Sequence, residues 1–201
     1  MKILALELST ARGSLAYLSD AAEFARDWPH ERKNSAAFFA NLADVQKQFG
    51  LPERMIVGLG PGSYAGTRIA ISAAVGLQFA SGAELVGLPS ICAVECDAVE
   101  YCVIGDARRQ SFFFARICAN ELVEGPELLG EIELRAKMET LDVKMSIFAS
   151  EELPQFPRVQ VRYPSARVLA RLARDANRGF VLPPLEPMYL REPHITVPKS
   201  T

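Results

Sequence analysis

Histidine and cysteine are scarce in this sequence, with two and four residues respectively among 201. The histidines are His30, before a predicted helix, and His194, in a proline-flanked tail. They form no His-x-x-x-His pair that could hold a metal from one helix face, and no supported Ser/His/Asp set. Cys92, Cys96, Cys102 and Cys118 follow no Cys-x-x-Cys spacing and stand mostly among apolar neighbours, so they read as reduced core residues and not as a disulfide framework or zinc site. Long apolar runs are missing too. The longest, residues 69–80, is broken by Ser72, Gly76 and Gln78, well below the ~18 to 20 residues that a bilayer requires. Lys2 and the short apolar run up to Glu7 are too brief for the core of a signal peptide, so a cytoplasmic protein without a membrane span is expected. Nor is there an excess of one charge: 22 Lys and Arg face 24 Asp and Glu, a net charge of −2. Such a balance creates no global field for polyanions, and contact with nucleic acid must be local or come through a partner.

The composition that remains, 49% hydrophobic and 23% charged, supports a sizeable core and excludes disorder, collagen and coiled coil. The length fits one domain or two small lobes. Residues 2–8, 14–18 and 22–28 read as a three-strand meander. Residues 33–49 read as a helix, with Phe38, Leu42, Val45 and Phe49 at i, i+4, i+7 and i+11. A strand at 55–59 and a helix from Ser63 to Ser81, closed by Gly82, complete the unit βββαβα. The order recurs as strands at 101–105, 111–117 and 122–132, a helix at 133–141, a strand at 145–149 and a helix at 165–177. Two βββαβα units predict a duplicated α/β fold of the actin-like (ASKHA) kind. The expected divisions are an N-terminal lobe at 1–98, a C-terminal lobe at 99–182 and a proline-rich tail at 183–201.

The sharpest local feature is Gly60-Pro61-Gly62-Ser63-Tyr64-Ala65-Gly66-Thr67-Arg68, between a strand and a helix. Backbone N–H groups at such a place can cradle a phosphate. A Walker A loop needs Gly-Lys-Ser/Thr, but Thr67 and Arg68 follow Gly66 here, so no lysine reaches a phosphate. The spacing G-x-G-x-x-x-G and the lack of an acidic residue closing the next strand also fail the dinucleotide fingerprint. A tight turn with close helix packing is the plainer reading.

GPGSYAGTRI resembles the GPGSFTGLRIG signature of the TsaB (YeaZ) family, bacterial proteins of the threonylcarbamoyladenosine (t6A) tRNA-modification pathway. The opening ILALELSTARGSLAYL resembles that family's ILALDTSTxxxSVAL. Gly105-Asp106-Ala107-Arg108-Arg109 resembles its D-A-R-R turn, and Pro187-Met188-Tyr189-Leu190-Arg191 its terminal P-x-Y-L-R. Four blocks in the right order span nearly the whole chain. The resemblance implies a duplicated actin-like fold and a noncatalytic dimerisation subunit. Its implied partner is TsaD, which transfers the threonylcarbamoyl group to adenosine 37 of tRNAs reading codons that begin with adenine. TsaE joins the assembled complex, tRNA is met through that complex, and ATP sits at a subunit boundary. By the same resemblance this chain carries no catalytic residue, metal or cofactor of its own.

The chain departs from the pattern in places that bear on nucleotide binding. Glu7 stands where the family usually has the aspartate that, in active members of the fold, holds a metal-bound phosphate. Asp106 falls where a second phosphate-facing loop would lie, but Ala107-Arg108 lacks the glycines for a close approach. Glu7 and Asp106 are thus the two residues in nucleotide-facing positions. Ala65 and Thr67 replace Thr and Leu in the signature, and a shortened second half predicts a trimmed second lobe.

Two first-lobe helices are apolar nearly all round, which a lone surface helix is not. Their candidate interface residues are Phe38, Phe39, Leu42 and Val45 on the first helix, and Ile69, Ala70, Ala73, Ala74 and Leu77 on the second. Small residues there would admit a neighbouring helix, and the resemblance implies pairing through these helices. Without the partner, the same faces should form a homodimer. Near the C-terminus Arg167, Arg171, Arg174 and Arg178 recur at helical spacing, predicting a solvent-facing basic stripe that meets tRNA or an acidic surface, or is simply solvated. The leading reading is an interaction protein that activates a catalytic subunit. The alternative is an ATP-dependent small-metabolite kinase of the same fold, with Glu7, Asp106 and the glycine loop around Mg-ATP.

Overall fold

Strand β1 (Ile3–Glu7) is buried along its whole length, because its alternate side chains enter two different cores. Leu4 and Leu6 point to one face, Ile3 and Ala5 to the other. A computed structural model describes residues 1–30 and 35–191 of the chain. Around β1, the antiparallel strands β2 (Arg12–Leu18) and β3 (Glu23–Pro29) lie on one side. The parallel strands β4 (Arg54–Gly58) and β5 (Glu84–Leu88) lie on the other. The sheet order is β3-β2-β1-β4-β5. Helix α1 (Ala36–Phe49) joins β3 to β4, and α2 (Tyr64–Ser81) joins β4 to β5. Both cover the face carrying Leu4, Leu6, Leu15, Tyr17, Met55 and Val57. The predicted start of α1 at residue 33 lies outside the described residues. Gly82 ends α2 in the left-handed conformation, φ 68°, as its sequence predicts.

The second unit repeats the plan with β6 (Glu100–Asp106), β7 (Ser111–Cys118), β8 (Glu121–Gly130), α3 (Glu131–Thr140), β9 (Ser146–Ala149), β10 (Gln160–Val161) and α4 (Ala166–Leu172). Its sheet order, β10-β9-β6-β7-β8, is that of the first sheet read from the other edge. The duplicated two-lobe α/β fold is therefore present, with a fifth strand in each sheet beyond the βββαβα pattern. Residues 150–159, between β9 and β10, hold no helix where α2 stands in the first unit.

The two units share an interior. The inner face of the first sheet, through Ile3, Ala5, Ala16 and Ile56, packs in one cluster with Tyr101, Val103, Phe113 and Phe148 of the second. α4 lies against β1 and β2 of the first sheet, and its first N–H, on Ala166, donates to Ser14 Oγ at 2.9 Å. Conversely, the 3₁₀ turn Ser90–Ala93 that follows β5 reaches the second sheet, where Tyr101 donates its hydroxyl to Ile91 O at 3.0 Å. Each unit thus sends its last helical segment to the other.

The basic stripe faces solvent at Arg167, Arg171 and Arg174, as its spacing predicts, but it is paired within the chain. α4 ends at Leu172, short of the predicted 177, and the arginines of the stripe, on α4 and just beyond it, meet acids of the β2–β3 hairpin and elsewhere. Arg171 pairs with Glu23 at 2.7 Å, Arg174 with Asp20 at 3.2 Å and Arg167 with Glu95 at 3.5 Å. Arg178 donates to the carbonyls of Ala119 and Asn120, both at 3.1 Å. These partners are far away in the chain, so periodicity alone could not reveal them. The four cysteines are free; burial lifts Cys92 to about 12 and Cys102 to about 11, as expected of unreactive core thiols. Among the described residues no helix is long and apolar enough to cross a membrane.

Candidate functional site

The signature loop begins where β4 ends. Gly62 lies so close to the β1–β2 turn that a Cβ there would fall 2.0 Å from Ser9 O, and one at Gly66 would fall 2.1 Å from Leu8 O. The backbone donors of the loop are also engaged within the chain. Ser63 N–H reaches Ser9 O at 2.6 Å, Gly60 N–H reaches Ser90 Oγ at 2.9 Å, and Gly66 N–H reaches the N-cap hydroxyl of Ser63 at 3.3 Å. Gly60, Pro61, Gly62, Ser63 and Gly66 therefore build a tight turn that clamps α2 onto β1, and most of their donors are not aimed at a ligand. Tyr64 and Arg68, from the same block, project outward.

Glu7 does not face the cleft. It is 0% exposed, with Oε1 accepting the Ser9 N–H at 2.6 Å and Oε2 unpartnered. Gly58 on β4 opens the space it fills, since a Cβ there would lie 1.7 Å from Glu7 Oε2. Burial pushes the Glu7 carboxyl above the usual carboxylate range, and the hydrogen bond from the Ser9 backbone only partly offsets this. Glu7 is thus held in the interior beside Gly58 and does not line the cleft, so it is a core residue and not a nucleotide-facing one. Asp106 does line the cleft, but it accepts from Arg108 N–H at 2.6 Å and pairs with the Arg108 guanidinium at 2.9 Å.

Between the lobes is a cleft of about 360 Å³, lined by the β1–β2 turn, the signature loop, the end of β6 and the C-terminal segment. Val181 forms two hydrogen bonds with Gly87 of β5, Met188 N–H donates to Leu59 O at 2.7 Å, and Arg191 reaches Arg108 O and Ser111 Oγ across the cleft. Residues 181–191 are thus a strap between the lobes. The remainder of the predicted tail, with His194, lies outside the described residues. His30, missed as a cleft residue in the sequence, lines this space; it is buried, and neither ring nitrogen has a partner. Burial lowers its pKa. Among the described residues no three His, Cys, Asp or Glu side chains come together as a metal site.

The proposed interface residues divide in two. Phe38, Leu42, Val45, Ala70 and Ala74 are buried against their own sheet and belong to the core. Phe39 is 50% exposed, and Ile69, Ala73 and Leu77 remain partly exposed. Phe39, Ala40 and Ala43 on α1, with Gly76, Phe79 and Ala80 on α2, are exposed beside them, and Ala73 is partly so. Phe79 is 87% exposed. A Cβ added at Gly76 would meet nothing within 4 Å, so packing within this chain does not require a glycine there.

Residues 29–189 match the family model described as TsaD, tRNA N6-adenosine threonylcarbamoyltransferase. Uncharacterized proteins of Mycobacterium tuberculosis and Mycobacterium bovis are 27% identical over 167 residues, covering 82% of this chain and 76% of theirs. YeaZ from Pseudomonas aeruginosa superposes with a TM-score of 0.72 at 22% identity, over 94% of this chain and 99% of that one. A second structure, of an uncharacterized protein with similarity to peptidase YeaZ from the same organism, gives 0.74 over the same shares.

Proposed function

Because the chain belongs to the family of TsaD, the tRNA N6-adenosine threonylcarbamoyltransferase, with the YeaZ (TsaB) fold, we propose that it is the noncatalytic partner of a TsaD-type subunit. On this reading it supports threonylcarbamoylation of adenosine in tRNA without carrying out chemistry itself. The observation that carries the proposal is the outward face of α1 and α2. Phe79 is almost fully exposed there, and a glycine sits at mid-helix with open space above it. A glycine inside a helix costs roughly 0.5 to 1 kcal/mol relative to alanine, and no contact within this chain explains that cost. The close approach of another helix does explain it. ATP, where the assembly uses it, would sit at the subunit boundary and not on this chain. The kinase alternative finds no support in the geometry, since Glu7 is sealed in the core and Asp106 is paired with Arg108.

The test is titration calorimetry with a TsaD-type subunit. Phe79→Glu should leave the isolated fold intact and weaken binding by about 2 to 5 kcal/mol, as expected for a charge buried without a partner. Undiminished affinity for a folded Phe79→Glu protein would remove this face from the interface.

A further inference from the structure

Three of the six buried side-chain polar atoms left without a hydrogen bond among the described residues line one space, the cleft between the lobes: Ser9 Oγ and both ring nitrogens of His30. The backbone brings the two side chains to the same wall. His30 N–H donates to Ala11 O at 2.7 Å, which ties the residue after β3 to the β1–β2 turn that carries Ser9. The ring lies against the start of α2, with Nε2 only 2.9 Å from where a Cβ on Gly66 would stand. Ser9 is 1% exposed and His30 6%. Polar groups this deep are hydrogen-bonded in most proteins, and each exception calls for a cause.

The rest of the cleft sets the chemistry of a molecule that would complete them. Its charged lining is balanced, Asp106 and Glu151 against Arg108 and Arg191, and each of the four is engaged within the chain. Burial favours the neutral form of His30, which presents one donor and one acceptor, and the Ser9 hydroxyl can act as either. Leu59, Ile91, Phe113 and Met188 supply apolar surface, and the rings of Tyr64 and Tyr189 lie 5.4 Å apart, centre to centre. At about 360 Å³ the cleft is near the lower end of the range for small-molecule sites.

We infer that the cleft binds an uncharged polyhydroxy compound the size of a monosaccharide. Each hydroxyl of such a compound both donates and accepts, so it can meet Ser9 Oγ and either nitrogen of a neutral imidazole, while its C–H faces lie on the apolar and tyrosine side chains. A nucleotide suits this lining poorly. The N–H groups of Gly60, Ser63 and Gly66 are spent on partners within the chain, and among the described lining residues no unengaged cation awaits a phosphate. The inference does not rest on the partner reading, because every residue of this lining belongs to this chain.

The experiment is proton NMR of the full chain at about pH 7.5, titrated with D-glucose, myo-inositol and xylitol. The chain has only two histidines, so the ring signals of His30 are assigned by their loss in His30→Gln. At least one of the three compounds should shift those signals saturably, with a dissociation constant at or below about 10 mM, the scale for a ligand of about a dozen heavy atoms. Ser9→Ala removes a hydroxyl that bonds nothing among the described residues, so the fold is kept, as circular dichroism would verify. It should weaken binding about threefold to tenfold, the worth of one hydrogen bond. Phe79→Glu should bind the compound like the wild type, which separates failure here from failure of the partner reading. No saturable shift with any of the three up to about 100 mM would overturn the inference. So would a shift that Ser9→Ala leaves unchanged, which would place the compound elsewhere, or a tighter response to ATP, which would make the cleft a nucleotide site.

Discussion

Glu7 and His30 are two buried titratable groups whose shifts change stability in opposite directions as the pH moves. The His30 pKa is lowered by burial, so the native state favours the neutral ring while the unfolded chain takes up a proton below about 6.5. Its contribution to stability is complete above that value and is lost as the pH falls. His30→Gln, which cannot titrate, should therefore show a shallower loss of melting temperature between about pH 6.5 and 5 than the wild type. Glu7 behaves in the opposite sense. Its raised pKa means that the native state holds a proton which the unfolded state releases above about 4.5, so stability declines as the pH rises through the folded value. Glu7→Gln should raise the melting temperature at pH 7, and the gain should vanish near pH 4. A gain that persists unchanged at pH 4 would mean that packing, and not the proton, is responsible. Neither shift was legible in the sequence: Glu7 looked like a lengthened phosphate-site aspartate because nothing in the linear pattern shows that Gly58 opens a pocket beside it.

At the scale of elements, the sequence spoke clearly wherever periodicity and punctuation agreed. The β1 run, the Ser63 cap with the Gly82 stop, and the Phe38, Leu42, Val45 stripe all stand as read. It was silent where an element depends on distant partners. β10 is two residues long and exists only beside β9, and the arginines of α4 look free until the β2–β3 hairpin is folded beneath them. The helix faces were half legible. An all-round apolar helix signals two contacts, but which side meets its own sheet depends on the rotation of the helix in the fold. Ala74 faces inward and is 0% exposed, so Ala74→Glu should unfold the isolated chain and cannot report on an interface. Gly76 distinguishes the faces without that ambiguity. Gly76→Ala should stabilise the isolated chain by about 0.5 to 1 kcal/mol, seen as a higher denaturant midpoint, and should weaken association with the TsaD-type subunit. A stabilised protein with unchanged affinity would leave the exposed glycine without an explanation in partner binding.

The whole molecule is held together by an exchange: α4 lies on the first sheet, the 3₁₀ turn lies under the second, and the strap of residues 181–191 spans the cleft. On the second lobe the outer helix α3 is charged, carrying the Glu131–Arg135 and Lys137–Glu124 pairs. On the first lobe the outer helices expose Phe39, Ala40, Ala43, Gly76, Phe79 and Ala80 beside polar residues such as Asp44 and Ser72. Exposed apolar side chains on α1 and α2, Phe79 foremost, find their own copy when nothing else covers them, and twofold isologous pairing closes the contact with the fewest demands on geometry. Sedimentation at about 50 μM should therefore show a homodimer. Because the same face is assigned to the TsaD-type subunit, adding that subunit should dissolve the homodimer into one-to-one pairs and not build a larger assembly through this face. Phe79→Glu should be monomeric, with unchanged circular dichroism and melting temperature, whereas Arg109→Gln, in the β6–β7 turn, should still dimerise. A wild-type chain that stays monomeric at this concentration, or a homodimer that persists in excess partner, would separate the self-contact from the partner contact and move one of them off these helices.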